Sequence, residues 1–176
     1  MGCVLTLLLT ASVAWGQSPA QRPAQDESEM PTHDIVRRGT ATVEDAYRAF
    51  LTMAANQGRV ELKGEVEDLS FEEVTAQLES LSIIDAEWSF TAQTCLRRDV
   101  MAYMACSYLG CRPGLLTGML GMTRRYAHRE MLYQKIIPPG APGTLVSGSE
   151  LLSVASRVSR RIESHRDVQL KPNQIH

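Results

Sequence analysis

Apolar residues recur three and four positions apart through most of the chain after residue 42, the spacing of helices with one buried face. Val43, Ala46, Tyr47, Phe50, Leu51 and Ala54 make the first stripe. Thr42-Val43-Glu44-Asp45 opens it: a cap hydroxyl and an acid three residues on can satisfy each other's backbone donors. Gly58 then suits a left-handed closure. A second capping box, Ser70-Phe71-Glu72-Glu73, precedes Phe71, Val74, Leu78 and Leu81. A third helix is expected over 97–109, with Val100, Met101, Met104, Ala105, Tyr108 and Leu109 facing inward and Gly110 ending it. Residues 115–121 form a short apolar piece of undefined type. Thr123 caps a helix over 124–135, which the Pro/Gly run 138–143 stops. Ser147-Gly148-Ser149-Glu150 is a third capping box. It opens a last helix carrying Leu151, Ala155, Val158 and Ile162. Strand signals are confined to 59–62 and the Ile-Ile pairs. The pattern predicts an all-α domain of five to six helices over 42–162, followed by a flexible tail, 163–176.

The first sixteen residues follow another logic. Val4 to Trp15 is an uncharged apolar run, and Ala14-Trp15-Gly16 offers a small-x-small cleavage pattern. This outlines a secretory signal over 1–16; the run is shorter than the roughly 20 residues that span a bilayer. The positive n-region is missing, since the first basic residue is Arg22. Met1-Gly2-Cys3-Val4-Leu5-Thr6 also fits an N-myristoylation pattern, so acylation is the competing reading. Residues 17–41 are rich in Gln, Pro, Ser and charge, the composition of a disordered linker. The expectation is an exported protein, periplasmic, envelope-associated or extracellular, with no transmembrane helix once the signal is removed.

Charge narrows the functional classes. A net charge of −2 gives no general attraction to nucleic acid or anionic membranes. Its distribution is uneven. Glu61, Glu65, Glu67, Asp68, Glu72, Glu73 and Glu79 face only Lys63 over 61–79. Arg97, Arg98, Arg112, Arg124, Arg125, Arg129 and Lys135 face only Asp99 and Glu130 over 97–135. Ordinary solvated faces account for this, and so does an anion-binding surface. Cys95, Cys106 and Cys111 are an odd set once Cys3 leaves with the signal. Only Cys106 with Cys111 is within disulfide reach, provided Gly110 folds the chain back; three reduced thiols are the default.

Catalytic signatures are missing from the sequence. No histidine pair has the i, i+4 spacing of a helical zinc site, and there is no Cys-x-x-Cys, no phosphate-cradling glycine loop and no G-x-S-x-G elbow. His128, the one histidine on a predicted helix, is expected at the surface or half-buried. Ser149 is expected to serve capping, not nucleophilic attack. Cys106 lies beside the apolar stripe of its helix and is expected to be partly accessible. Trp88, beside Phe90, is either a hydrophobic plug over helix ends or a sugar-stacking platform. No metal or cofactor is expected.

The chain also echoes itself. Leu81-Ser82-Ile83-Ile84, a loop and Leu96-Arg97-Arg98-Asp99-Val100-Met101 correspond to Tyr133-Gln134-Lys135-Ile136-Ile137, a loop and Val146-Ser147-Gly148-Ser149-Glu150-Leu151. The Ile-Ile step is offset by 53 residues and the helix opening by 50. Two degenerate helix-loop-helix units packed as one domain are therefore expected. A helix ending in an Ile-Ile step, a variable loop and an "I-T-R-A-E-F-A" opening resembles surface-layer homology repeats over about residues 70–160. Leu96 to Ala102 and Val146 to Leu152 are the two similar stretches, and a full third copy is missing. The resemblance implies three packed repeats that bind anionic cell-wall polymers through the motif arginine, which would be Arg98. Gly148 stands at that place in the second unit. The resulting expectation is a non-enzymatic bacterial envelope module. It would contact an anionic wall polymer or an envelope protein through Arg97, Arg98, Arg124, Arg125 and Arg129, with Trp88 as the sugar-stacking candidate. A hydrolase with an unrecognised site, or a protein-interaction unit, are the alternatives.

Overall fold

The structure, a computed structural model, describes residues 35–36, 39–62, 64–111 and 122–169, with side chains to 164. The signal and most of the linker therefore lie outside the described residues, as do the apolar piece 115–121 and Arg112. The described residues form five α-helices: α1 Val43–Asn56, α2 Phe71–Ser80, α3 Arg98–Tyr108, α4 Arg124–Tyr133 and α5 Gly148–Gln169. A 3-10 turn, Val66–Asp68, lies between α1 and α2.

Local chemistry sets the helix starts. Thr42 Oγ1 accepts from Asp45 N–H at 3.2 Å, and Asp45 Oδ2 accepts from Thr42 N–H at 2.8 Å. Ser70 and Glu73 make the same reciprocal pair at the start of α2. Thr123 caps α4 through Tyr126 N–H. Ser147 accepts from Glu150 N–H, but here the box is only half made. The Glu150 carboxylate turns away to Arg98.

Four helix ends share one device. After α1, α2, α3 and α4 a residue takes a left-handed conformation: Gly58, Ser82, Gly110 and Lys135. In each case the next N–H returns to the carbonyl five residues back: Arg59 to Ala54, Ile83 to Leu78, Cys111 to Cys106 and Ile136 to Met131, at 2.9–3.0 Å. This is the Schellman closure, which brings the third-last helical residue against the second residue past the cap. It drops Ile83-Ile84 and Ile136-Ile137 into the core.

The three helix openings close on one another. Ala41, Leu96 and Val146, all fully buried, exchange backbone hydrogen bonds in a cycle. Ala41 N–H donates to Val146 O at 2.8 Å, Val146 N–H to Leu96 O at 3.0 Å and Leu96 N–H to Ala41 O at 2.8 Å. The ring continues outward at two helix N-termini. Val43 and Glu44 N–H donate to Thr94 O and Ala92 O, and Arg98 and Asp99 N–H to Thr144 O and Pro142 O. These loops thus satisfy the donors that begin α1 and α3. Only isolated bridges arise here, Thr42 with Cys95 and Arg97 with Leu145; residues 59–62 are not a strand.

The fold differs from expectation in these respects. Ala41, assigned to the linker by composition, is a core residue, because its backbone closes the ring. The chain has three interlocked openings instead of two, the additional one being Ala41-Thr42-Val43. Helix α5 runs on to Gln169, past the expected end at 162, because 163–169 contains no Gly or Pro and several good helix formers. Buried Leu51, Phe50, Met101, Met104, Met131, Leu151 and Val158 fill the space between the helices. Among the described residues, no helix is long and apolar enough to cross a membrane.

Candidate functional site

Helices α3 and α4 lie side by side and run in the same sense. Arg98 and Asp99 in the first turn of α3 act on His128 in the second turn of α4. At the other end, Gln134 Nε2 after α4 reaches Cys111 Sγ after α3 at 3.6 Å. The sequence-predicted residues have different tasks in this arrangement.

Arg98 is placed otherwise than expected. It is 7% exposed. Its Nε and Nη2 donate to the two Glu150 carboxylate oxygens at 2.8 and 2.9 Å, and Nη1 donates to Pro139 O at 3.3 Å. The guanidinium thus joins the opening of α3 to that of α5 and has no face left for a polymer. Gly140 lies flat against it; any side chain there would strike Arg98 Nη1. Gly148, where the second unit lacks the motif arginine, packs its backbone against the Ile35 carbonyl.

His128 is buried, not at the surface, and its Nε2 has no hydrogen-bond partner among the described residues. Its pKa is lowered by burial first and by the Arg98 charge second, with Asp99 opposing. The imidazole is therefore held neutral beside a permanent cation. Asp99 is buried as well, with Arg97 Nε 3.3 Å from Oδ1. The Arg97 side chain remains half exposed.

Trp88 is partly buried and packs against the core. Its ring packs on Tyr103 at 4.9 Å and on the Phe90 edge at 5.4 Å, and the Arg124 guanidinium sits 5.8 Å from its centroid. Ser149 Oγ lies 3.0 Å from Ser147 Oγ within the cap. Cys106 is fully buried, against the expectation of partial access, because its position faces the residue past the Schellman turn.

The outer face of α4 is different. Arg124, Arg125 and Arg129 are exposed, and among the described residues no carboxylate pairs with them. Glu130, the one acid of the helix, accepts instead from Gln134 at 2.7 Å. Tyr133 follows Arg125 and Arg129 at four-residue steps, so the three share a line along the helix. Its ring is 83% exposed, the most exposed of the large apolar side chains described. Sequence reasoning passed over Tyr133 because its 3.6-residue phase is shared with half-buried neighbours; only the packing shows that it faces out.

Two open grooves mark the described surface. One, about 500 Å³, is lined by Phe71, Glu72, Thr75, Glu79 and Phe90. The other, about 260 Å³, lies beside Ser149, Glu150 and Arg157. Neither contains His128, Cys106 or Cys111, the groups whose ionisation the fold perturbs most usefully for proton or thiol chemistry. Among the described residues no three His, Cys, Asp or Glu side chains are disposed to hold a metal.

The fold and this surface define an all-α domain in which three helix openings are locked in a backbone ring, with a basic, aromatic-ended helix on its outside. Comparison of the chain with protein families, with curated proteins and with solved structures gives no match.

Proposed function

We propose that the protein is a non-enzymatic, exported interaction module of the cell envelope that binds an anionic wall polymer through the outer face of α4. The carrying observation is the uncompensated line of Arg125, Arg129 and Tyr133, flanked by Arg124. Arginines offer planar, bidentate recognition of phosphate or carboxylate groups, and an exposed tyrosine offers a face to a sugar ring. Arg97, half exposed at the start of α3, is paired with Asp99 and is a secondary candidate. The resemblance to surface-layer homology repeats remains part of this reading, and two of the three ring openings, at Leu96 and Val146, are the two stretches that carry it. The polymer contact, however, rests on α4 and not on Arg98, whose guanidinium is already paired.

The test is retention of the full chain on an anionic wall polymer, with a neutral glycan as the control matrix. Retention at low salt should weaken steeply as salt rises, since exposed charges are screened over about 10 Å at 0.1 M. Combined Arg124→Ala, Arg125→Ala and Arg129→Ala substitutions should abolish it with helical content unchanged, and Tyr133→Ala should reduce it. Retention that persists in the triple variant, or no retention at low salt, overturns the reading.

A further inference from the structure

The Schellman closure after α3 places a cysteine at each of its two touching positions. In α2 those positions hold Leu78 and Ile83, and in α4 Met131 and Ile136, apolar pairs packed in the core. In α3 they hold Cys106 and Cys111. Gly110, at φ 64°, turns the chain, and the 3.0 Å bond from Cys111 N–H to Cys106 O fixes the two backbones against each other. This is the fold-back that a bridge between these cysteines requires. The two thiols are free in the structure, and each influences the other directly.

We propose that Cys106 and Cys111 form a dithiol that exchanges with small disulfides, with Cys111 as the attacking sulfur and Cys106 as the resolving one. The asymmetry of the site assigns the roles. Cys111 is half-buried and reachable, whereas Cys106 is fully buried. Gln134 Nε2 donates to Cys111 Sγ and supports its thiolate. The hydrogen bond from Cys106 is the largest influence on Cys111, pulling its pKa down to about 7; Gln134 adds to it, while burial and Glu130 oppose. The same bond, with burial, pushes the Cys106 thiol up. A thiolate near ambient pH is the effective nucleophile in such exchange.

The reaction balances without further reagents. The Cys111 thiolate attacks one sulfur of a small disulfide, its S–S bond breaks, and the first thiolate leaves and takes up a proton. Cys106 then loses its proton and attacks Cys111 Sγ. The mixed disulfide breaks, the second small thiolate leaves and is protonated, and the protein holds one Cys106–Cys111 bond. Two protein thiols are oxidised and one disulfide is reduced to two thiols. The buried, proton-retaining Cys106 makes the second step the slower one at neutral pH.

The experiment treats the reduced full chain with oxidised glutathione, quenches with acid at intervals and maps the peptides by mass spectrometry. The wild type should accumulate a Cys106–Cys111 crosslink, preceded by transient glutathione on Cys111 and none on Cys106. Resolution of that intermediate should speed up as pH is raised. Cys106→Ser should hold the glutathione on Cys111 as a stable adduct, and the wild-type time course decides the matter even if that variant folds poorly. A stable Cys111 adduct in the wild type, glutathione on Cys106 first, or no reaction at Cys111 under conditions that modify exposed Cys95, overturns the proposal.

Discussion

Glu150 is the residue whose loss most directly tests how the openings of α3 and α5 are held together. Its carboxylate takes both forks of Arg98 at 2.8 and 2.9 Å, and the two side chains are only 17% and 9% exposed. Glu150→Gln keeps the shape and leaves the Ser147 cap intact, since that cap uses the Glu150 backbone N–H. It removes the counter-charge from a guanidinium that cannot shed its proton. Breaking a buried pair from one side costs about 3–5 kcal/mol. The amide oxygen can still accept one Arg98 hydrogen bond, so the lower end, about 3 kcal/mol, is expected. That is a large share of the roughly 5–15 kcal/mol that holds a domain folded. Replacing both partners with apolar residues, Arg98→Met with Glu150→Leu, removes the stranded charge along with its partner. The double variant should therefore be more stable than Glu150→Gln, because apolar replacement of a whole buried pair is often neutral or favourable. Urea unfolding followed by circular dichroism gives the three midpoints. A Glu150→Gln loss under about 1 kcal/mol, or a double variant less stable than Glu150→Gln, would refute the account of Arg98 as a structural clamp.

Four further outcomes follow from the same geometry. Gly140→Ala places a methyl on the Arg98 guanidinium and should cost about 1–3 kcal/mol of stability; the loss should shrink in an Arg98→Met background, and an equal loss there would show that the backbone, not the contact, is responsible. Lys135 holds a left-handed conformation without being glycine, so Lys135→Gly should stabilise by about 0.5–1 kcal/mol, the relief of left-handed strain less the added freedom of the unfolded chain; destabilisation in urea would contradict it. Folding lowers the His128 pKa through burial first and Arg98 second, so its contribution is fully present above the unfolded value of about 6.5 and is lost as pH falls below it; His128→Met should flatten the decline in melting temperature between pH 7.5 and about 5, and an unchanged slope would sink the idea. Thr42→Ala and Ser70→Ala should each cost about 1 kcal/mol by removing a reciprocal cap; unchanged denaturant midpoints in both would refute the capping assignments.

Much of the fold was written locally. The starts of α1, α2 and α4 follow from Thr42, Ser70 and Thr123, because a cap acts over three residues and is visible in sequence order. The ends at Gly58 and Gly110 were equally legible, since glycine tolerates the left-handed turn. The same turn at Ser82 and Lys135 was not, as neither residue advertises it; the Ile-Ile pair that follows each, dropping into the core, is what imposes it. The repeat of helix, Ile-Ile step, loop and helix could be read from apolar spacing, but only as two units. The third opening at Ala41 carries almost no side-chain signal, because its role is played by a backbone N–H and carbonyl joined to residues 55 and 105 positions away.

The surface divided in the same way. Sequence alone identified which arginines crowd 97–129 and that Cys106 and Cys111 were the one pair able to meet. It could not sort them. Arg98 and Arg129 are chemically the same residue, and only the return of Glu150 from α5 makes the first a buried clamp while the second stays bare. Trp88 is partly buried because it packs on Tyr103 beside Arg124, whereas Tyr133 stays exposed among the described residues. Caps, turns and helical faces are decided within a few residues of chain, so the sequence settles them. Whether a charge is neutralised or a ring is covered depends on partners brought from tens of residues away, and that is settled only when the helices close around their ring.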